Sequence, residues 1–348
     1  MTEVMSVRGP VDVADLGITL THEHLFNDAT SWAHRTESRG WDPEDLARRD
    51  VSPDILWDLR YDPFANLDNC RLEDRELAVR EVDRYAALGG TTIVETTGLG
   101  AGRDLLGLRE VSERTGVTII AGTGYYLDAA HPPDVRGLDP HALAQRILDD
   151  IRDGEHDIRP GIIGEIGVGS RFTDAEQASL RAAFLAQRET GLPVQVHLPA
   201  WFRLGDRVLD LADEYGVAPS AVVLCHMGPS GEDLTYQERL LRRGAFIQYD
   251  MIGMELYYAD QGVQCPSDEQ NANWLRRLVE RGFGAQLLVS QDIFLKSLLR
   301  HHGGPGYGHI LQYFVPRLTR LGMDQRAVDR LLVDNPRSLF ERTPTQET

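Results

Sequence analysis

Eight short runs rich in apolar and β-branched residues recur along this chain, and a segment with helical periodicity follows each of them. The runs are Ile18–His22, Thr92–Thr96, Thr118–Gly122, Gly161–Ile166, Val194–His197, Ala221–Cys225, Ala245–Tyr249 and Leu287–Ser290. Several are apolar on both faces, as strands of a parallel sheet covered on both sides must be. Between them, residues 72–88 place Leu72, Val79, Val82 and Ala86 on one helical face and stop at Gly89-Gly90. Residues 173–190 open with the capping box Thr173-x-x-Glu176 and end at Gly191. Further helices are expected over roughly 103–115, 139–153, 203–215, 232–243, 268–282 and 324–341. This alternation predicts an α/β fold: a single, distorted (β/α)8 TIM barrel over residues 1–342, with 343–348 as a frayed polar tail.

The bulk properties narrow the partners. A length of 348 residues and a hydrophobic content of 42% suit one large soluble domain. A net charge of −18 repels phosphate backbones and anionic lipid, so neither nucleic acid nor a membrane is an expected partner. No run approaches the ~18 apolar residues of a membrane span. The N-terminal stretch lacks a basic segment followed by an apolar one, so no signal peptide is expected. Three widely spaced cysteines, Cys70, Cys225 and Cys265, argue against a disulfide framework and for a reducing, cytoplasmic location.

The chemistry sits at the ends of the strand-like runs. His22 and His24 are two apart on a strand, so both imidazoles face the same way. Glu23 between them is expected to face outward and carry no chemistry. Glu165 lies in Gly161-Ile-Ile-Gly-Glu-Ile-Gly167, where an isolated carboxylate is costly to bury without a cation. His197, His226 and Asp292 each close an apolar run. Six ligands from five strand ends suit two divalent ions sharing a bridging carboxylate. An open, doubly wound sheet would hold its first and last strands apart. A closed barrel makes them neighbours and brings His22 to Asp292. Strand alternation turns Cys225 away from His226, as a buried structural thiol.

Three connections are long, at about residues 27–71, 250–267 and 293–310, and in a barrel they lie on the catalytic face. Trp32, Tyr257 and Tyr258 in these loops are candidate substrate-binding residues. Lys296 is either a contact for an anionic substrate or a solvated helix residue. Tyr126 and Tyr125, just past the third run, are equal candidates for a phenol that donates to the substrate oxygen. Arg103-Asp104, in the Gly-rich turn after the second run, reads as an ion pair that organises that loop.

These motifs resemble the phosphotriesterase family of the amidohydrolase superfamily. The resemblance rests on Gly17-Ile-Thr-Leu-Thr-His-Glu-His-Leu25, Val94-Glu-Thr-Thr-Gly-Leu-Gly-Ala-Gly-Arg-Asp104, Ile163-Gly-Glu-Ile-Gly167, Gln195-Val-His197, Cys225-His-Met-Gly228, Ser290-Gln-Asp292 and Asp334-Asn-Pro336, in family order along nearly the whole chain. It implies two divalent ions, zinc first, with manganese, cobalt and iron as alternatives. His22, His24 and Asp292 would hold the more buried ion, and His197 and His226 the more exposed one. Glu165 and a hydroxide would bridge them. Many family members carry a carboxylated lysine at the bridge, and Glu165 supplies the same charge on a shorter arm.

The activity so implied is metal-dependent hydrolysis of a lactone, carboxylic ester or N-acyl amide, with phosphotriester cleavage as a side activity. Asp292 would ligate and move the proton of the nucleophile, and Tyr126 would assist. A dedicated organophosphate triesterase is the alternative of the same class. A metal-stabilised binding barrel without catalysis is the alternative of another class. The expected partner is a small-molecule substrate, and the sequence is compatible with a homodimer.

Overall fold

A computed structural model of the protein describes residues 2–36 and 40–341. The expected tail at 343–348 lies outside the described residues. The eight predicted strands all form, each within a residue or two of its expected bounds. They are β1 (Thr19–Glu23), β2 (Thr92–Glu95), β3 (Thr118–Thr123), β4 (Ile162–Gly167), β5 (Val194–His197), β6 (Val222–Leu224), β7 (Phe246–Tyr249) and β8 (Leu287–Val289). They pair in chain order in one eight-stranded sheet, and every pairing is parallel. The ladder stops between β8 and β1. There the His22 amide donates to Ser290 Oγ at 3.0 Å and the Asp292 amide donates to the His22 carbonyl at 3.2 Å. These bonds close the sheet into a (β/α)8 barrel.

Helices cover the outside: α1 (Arg75–Ala87), α2 (Leu105–Thr115), α3 (Pro140–Asp153), α4 (Asp174–Thr190), α5 (Gly205–Glu214), α6 (Leu234–Arg243) and α7 (Asp268–Glu280). Their starts follow from local chemistry. Thr173 and Glu176 form the expected capping box on α4, and Asp139 caps α3 just ahead of Pro140. The last predicted helix is a run of three pieces, Gln325–Asp329, Arg330–Asp334 and Asn335–Glu341, with a wide turn in the middle.

Strand alternation divides the core. Ile93, Ile119, Ile163, Val196, Leu224 and Ile247 face the helices. Val94, Ile120 and Ile162 pack with Phe340 and the N-terminal residues Val4, Val13 and Leu16. Val223, Phe246 and Leu288 pack with Leu339 and Cys225. The barrel interior is therefore an apolar floor closed from below by the chain termini. A polar layer of Gln195, Cys225 and Gln248 lies on it, and the catalytic end begins above that layer.

Among the described residues no helix is long and apolar enough to cross a membrane. The three cysteines are free and buried, as expected.

Candidate metal centre

Two strands depart from regular pairing, and both departures aim a side chain inward. β1 shifts register against β2 between Leu20 and Glu23, and β4 shifts against β5 between Ile163 and Ile166. Each shift inserts an extra residue, as a β-bulge does, and bulges re-aim side chains beside active sites. Gly164 sits in the second bulge at φ 141°, pressed against Gln195, where a Cβ would meet that residue's carbonyl oxygen at 2.8 Å. Glu165 next to it turns into the barrel. His226 and Asp292 have left-handed backbones, with φ of 57° and 51°. Such a conformation costs a non-glycine residue energy and is concentrated at functional sites.

The result is one cluster. Glu165 Oε1 lies 2.7 Å from His226 Nε2, 3.1 Å from His197 Nδ1 and 3.7 Å from His22 Nε2. Asp292 Oδ1 lies 3.3 Å from His24 Nε2 and 3.7 Å from His22 Nε2. His226 Nε2 and His197 Nδ1 are 2.8 Å apart. All six side chains are buried.

The donor set fits metal ions. Ligand atoms around a tetrahedral ion at about 2.0–2.2 Å stand roughly 3.3–3.6 Å apart, close to the spacing here. His22 Nε2 is buried with no hydrogen-bond partner, although two carboxylates face it. His22, Glu165 and His226 form one group able to hold a cation, and His22, His24 and Asp292 form another.

Charge points the same way. Burial would raise the Glu165 carboxyl, but His22, His197 and His226 hold it well below the usual carboxylate range. Burial would lower His24, but Asp292 brings it up to about 9. The acidic ring thus favours positive charge on His24 and His226, whereas burial outweighs it at His22 and lowers that imidazole.

A second ring of buried acids fixes the imidazoles. Asp250 accepts the His226 amide at 3.0 Å and lies 3.0 Å from His226 Nδ1 and 3.5 Å from His22 Nδ1. The Gln248 amide fills the same corner, its Nε2 3.0 Å from both His22 Nδ1 and Asp250 Oδ2. The Thr97 hydroxyl donates to Glu95 at 2.6 Å, so it must accept from His24 Nδ1 at 2.8 Å. Nε2 of His24 is then the nitrogen that faces Asp292 and the site, and the one a metal ion would take in place of a proton.

Glu23 corrects the sequence reading. It faces away from His22 and His24, in register with Glu95, but it is fully buried at the seam between β1 and β8 and is not idle. It accepts from Ser290 Oγ at 2.7 Å, from the Gln291 amide at 2.8 Å and from the Ile293 amide at 3.0 Å. It therefore clamps the turn that carries Asp292, and burial pushes its carboxyl up to about 8. Cys225 also corrects the expectation. The left-handed backbone at His226 points both residues inward, and the Cys225 thiol lies 3.6 Å from Gln248 Nε2 in the polar layer.

Above the cluster opens a cavity of about 500 Å³. Trp32, Phe64, Tyr126, Trp201, Tyr258 and Phe294 are among its walls. Trp32 stacks on Phe64 at 5.5 Å, and Tyr258 packs against Phe64 at 5.2 Å and Trp201 at 5.7 Å. The Tyr126 hydroxyl lies 3.3 Å from His197 Nδ1, and burial raises its pKa well above the ordinary value, so it stays a proton donor.

Other expected contacts lie elsewhere. Tyr125 is buried in the barrel wall beside His131, because adjacent residues leaving β3 point to opposite sides. Tyr257 belongs to an outer groove with Trp57, Arg60 and Tyr61. It precedes Tyr258 on a two-residue strand, so only one of the pair faces the cavity. Lys296 does not line the cavity and is not free: its ammonium pairs with Asp68 and its amide donates to the Asn69 carbonyl at 2.9 Å, tying the third long loop to the first. Arg103 pairs with Asp150 at 2.8 Å rather than with Asp104, which caps α2 and pairs with Arg75.

The sequence model of the phosphotriesterase family matches residues 2–340. The chain belongs to the phosphotriesterase family. This family member is 37% identical over 340 residues to an N-acetyltaurine hydrolase of Tetraodon nigroviridis, covering 96% of this chain and 97% of that one. Its fold matches the crystal structure of a resiniferatoxin-binding protein from Rhodobacter sphaeroides with a TM-score of 0.93 and 46% identity, covering 97% of this chain and 94% of that chain. It also matches the phosphotriesterase homology protein of Escherichia coli, complexed with phosphate in its active site, with a TM-score of 0.78, 29% identity and coverage of 95% and 100%. The chain is a phosphotriesterase-family hydrolase.

Proposed function

We propose that the protein hydrolyses the acyl bond of an N-acyl amide at a binuclear metal centre, with esters and lactones within reach of the same chemistry. The observation that carries this reading is the convergence of His22, His24, Glu165, His197, His226 and Asp292 at the floor of one cavity, with His22 Nε2 lacking any other partner. The choice of an amide is supported by the names of the curated relatives, of which the Tetraodon nigroviridis hydrolase is one.

His22, His24 and Asp292 would hold one ion and His197 and His226 the other, with Glu165 reaching both. Two divalent ions so held, zinc before manganese, cobalt or iron, would supply an acidified water and a Lewis acid for the acyl oxygen. Asp292 lies beside His24 and His22 and takes the proton from the attacking water, then passes it toward the leaving amine. Tyr126 lies at the cavity end of the cluster and donates its hydroxyl proton to the acyl oxygen as negative charge develops there. Asp250, Glu95 and Glu23 keep the imidazoles and the Asp292 turn in place. The aromatic walls exclude bulk water from the reacting bond.

The test is a hydrolysis screen of the metal-loaded protein against N-acyl amides, lactones, carboxylic esters and phosphotriesters. Amides leading the panel in kcat/KM support the reading. Turnover of phosphotriesters alone overturns it.

A further inference from the structure

We infer that the substrate is an uncharged acyl compound with bulky apolar substituents, and that the cavity discriminates against a sulfonate or carboxylate on the leaving half. This rests on the amide-hydrolase reading above and narrows it.

The walls supply the first argument. Beyond the metal centre the apolar part of the lining includes Trp32, Phe64, Trp201, Met251, Tyr258 and Phe294, beside a few neutral polar residues such as Ser170 and Gln261. A volume of about 500 Å³ falls within the ~300–1,000 Å³ of pockets that enclose a drug-sized ligand, far more than a small N-acetylated amine fills. Apolar surface of this kind gains from burying an apolar substituent and gives nothing to an ionic one.

The second argument is charge. Among the described residues no lysine or arginine lines the cavity. Of the neighbouring cations, Arg71 pairs with Asp28, Lys296 pairs with Asp68 and Arg203 lies over the Tyr236 ring, while Arg171, exposed next to Ser170, is not part of the lining. Away from the cluster the ionisable wall residues are both acidic, Asp28 and Asp260. Asp28 accepts the Thr30 amide at 2.8 Å and lies 3.5 Å from Arg71. Burial opposes its ionisation, but the Thr30 bonds and Arg71 hold its carboxyl below the usual range, so it is an anion.

The acyl carbon must sit over the cluster, so a sulfonate two carbons beyond the amide nitrogen reaches into the walls. It would shed its water, meet no lysine or arginine in the lining, and face Asp260 and the Arg71-paired Asp28 on a chain of net charge −18. A neutral group of the same shape meets none of these penalties.

The experiment uses a matched pair, N-phenylacetyltaurine and its sulfonamide, N-phenylacetyltaurinamide. They differ in charge and hardly in size. Binding to the metal-loaded protein is read by calorimetry, and turnover is read separately. The sulfonamide is expected to bind at least about tenfold more tightly, and the gap to shrink as salt rises and screens the carboxylates. In Asp260→Lys the gap is expected to narrow, because the reversed charge favours the sulfonate. Equal or tighter binding of the sulfonate by the native protein overturns the inference, whatever the turnover. Tighter binding of the sulfonamide with no cleavage of either compound leaves the inference standing and brings down the amide-hydrolase reading instead.

Discussion

Asp250 holds His226 at two points, accepting its backbone amide at 3.0 Å and facing its Nδ1 at 3.0 Å. The first contact fixes a left-handed backbone and the second fixes the imidazole proton on Nδ1, which leaves Nε2 for the Glu165 corner of the site. Asp250 is fully buried, and although burial opposes its ionisation, His226 keeps its carboxyl below the ordinary range. Asp250→Asn preserves shape but removes the charge and can present an N–H where an acceptor is needed. Partners of metal-bound histidines typically contribute about 10–100-fold to metal affinity or activity. A loss of that size is expected in a competition titration with a chelator, alongside near-native circular dichroism. Native metal affinity in the variant would leave Asp250 a packing residue.

Metal content is the most direct prediction. His22, His24 and Asp292 form one ligand group, His197 and His226 lie on the other side of Glu165, and six such side chains are too many for one tetrahedral ion, so two ions per chain are expected after loading. Chelation is expected to abolish activity, and zinc, manganese or cobalt to restore it. In Glu165→Ala the bridging carboxylate is gone and the stoichiometry falls below two. Elemental analysis of both proteins decides this. One ion per native chain rejects the binuclear assignment.

The barrel was legible because its strands are apolar on both faces and its helices carry explicit stops, such as Gly191 after α4, which adopts a left-handed backbone as a C-cap. The candidate ligands were legible because most stand at the end of such a strand and Glu165 is the lone carboxylate within one. Glu23 and Asp250 were not. The role of Glu23 depends on the turn after β8, 267–270 residues away, packing onto it, and the role of Asp250 depends on a left-handed residue at the end of another strand. The pairing of Lys296 was not legible for a different reason. Its partner Asp68 is 228 residues away, and only the packed loops bring the two together. Tyr257 and Tyr258 differ by one position on a short hairpin, and which of them faces the cavity is set by the register of Tyr258 opposite Val263.

Asp292 and Tyr126 are expected to act on the chemical step. Asp292→Asn keeps a side chain of the same size but cannot take a proton, and kcat is expected to fall by roughly 100-fold or more. Tyr126→Phe removes one donor to the developing charge while keeping the ring against His197, 4.9 Å between centroids. A loss of about 10–100-fold, carried by kcat rather than KM, is expected. Steady-state kinetics with metal content measured in parallel checks both. An unchanged kcat in either metal-replete variant removes that residue from the mechanism.

Substrate choice should follow the walls of the cavity and not its floor. Trp32 and Tyr258 line the cavity, whereas Tyr257 lines the outer groove with Trp57 and Tyr61. Every candidate ligand acts on all substrates alike, because each substrate needs the same activated water. A wall aromatic acts on those substrates whose substituents touch it, and losing one such contact typically costs about 1–3 kcal/mol in discrimination. Trp32→Ala and Tyr258→Ala are therefore expected to reorder a panel of amides that differ in the size of the acyl and amine groups, with metal content unchanged. Tyr257→Ala is expected to leave the order as it is. The comparison separates pocket from scaffold. If Trp32→Ala and Tyr258→Ala slow every substrate by the same factor, or shed metal along with activity, these aromatics support the site without reading the substrate. If Tyr257→Ala reorders the panel as strongly as they do, the outer groove takes part in recognition.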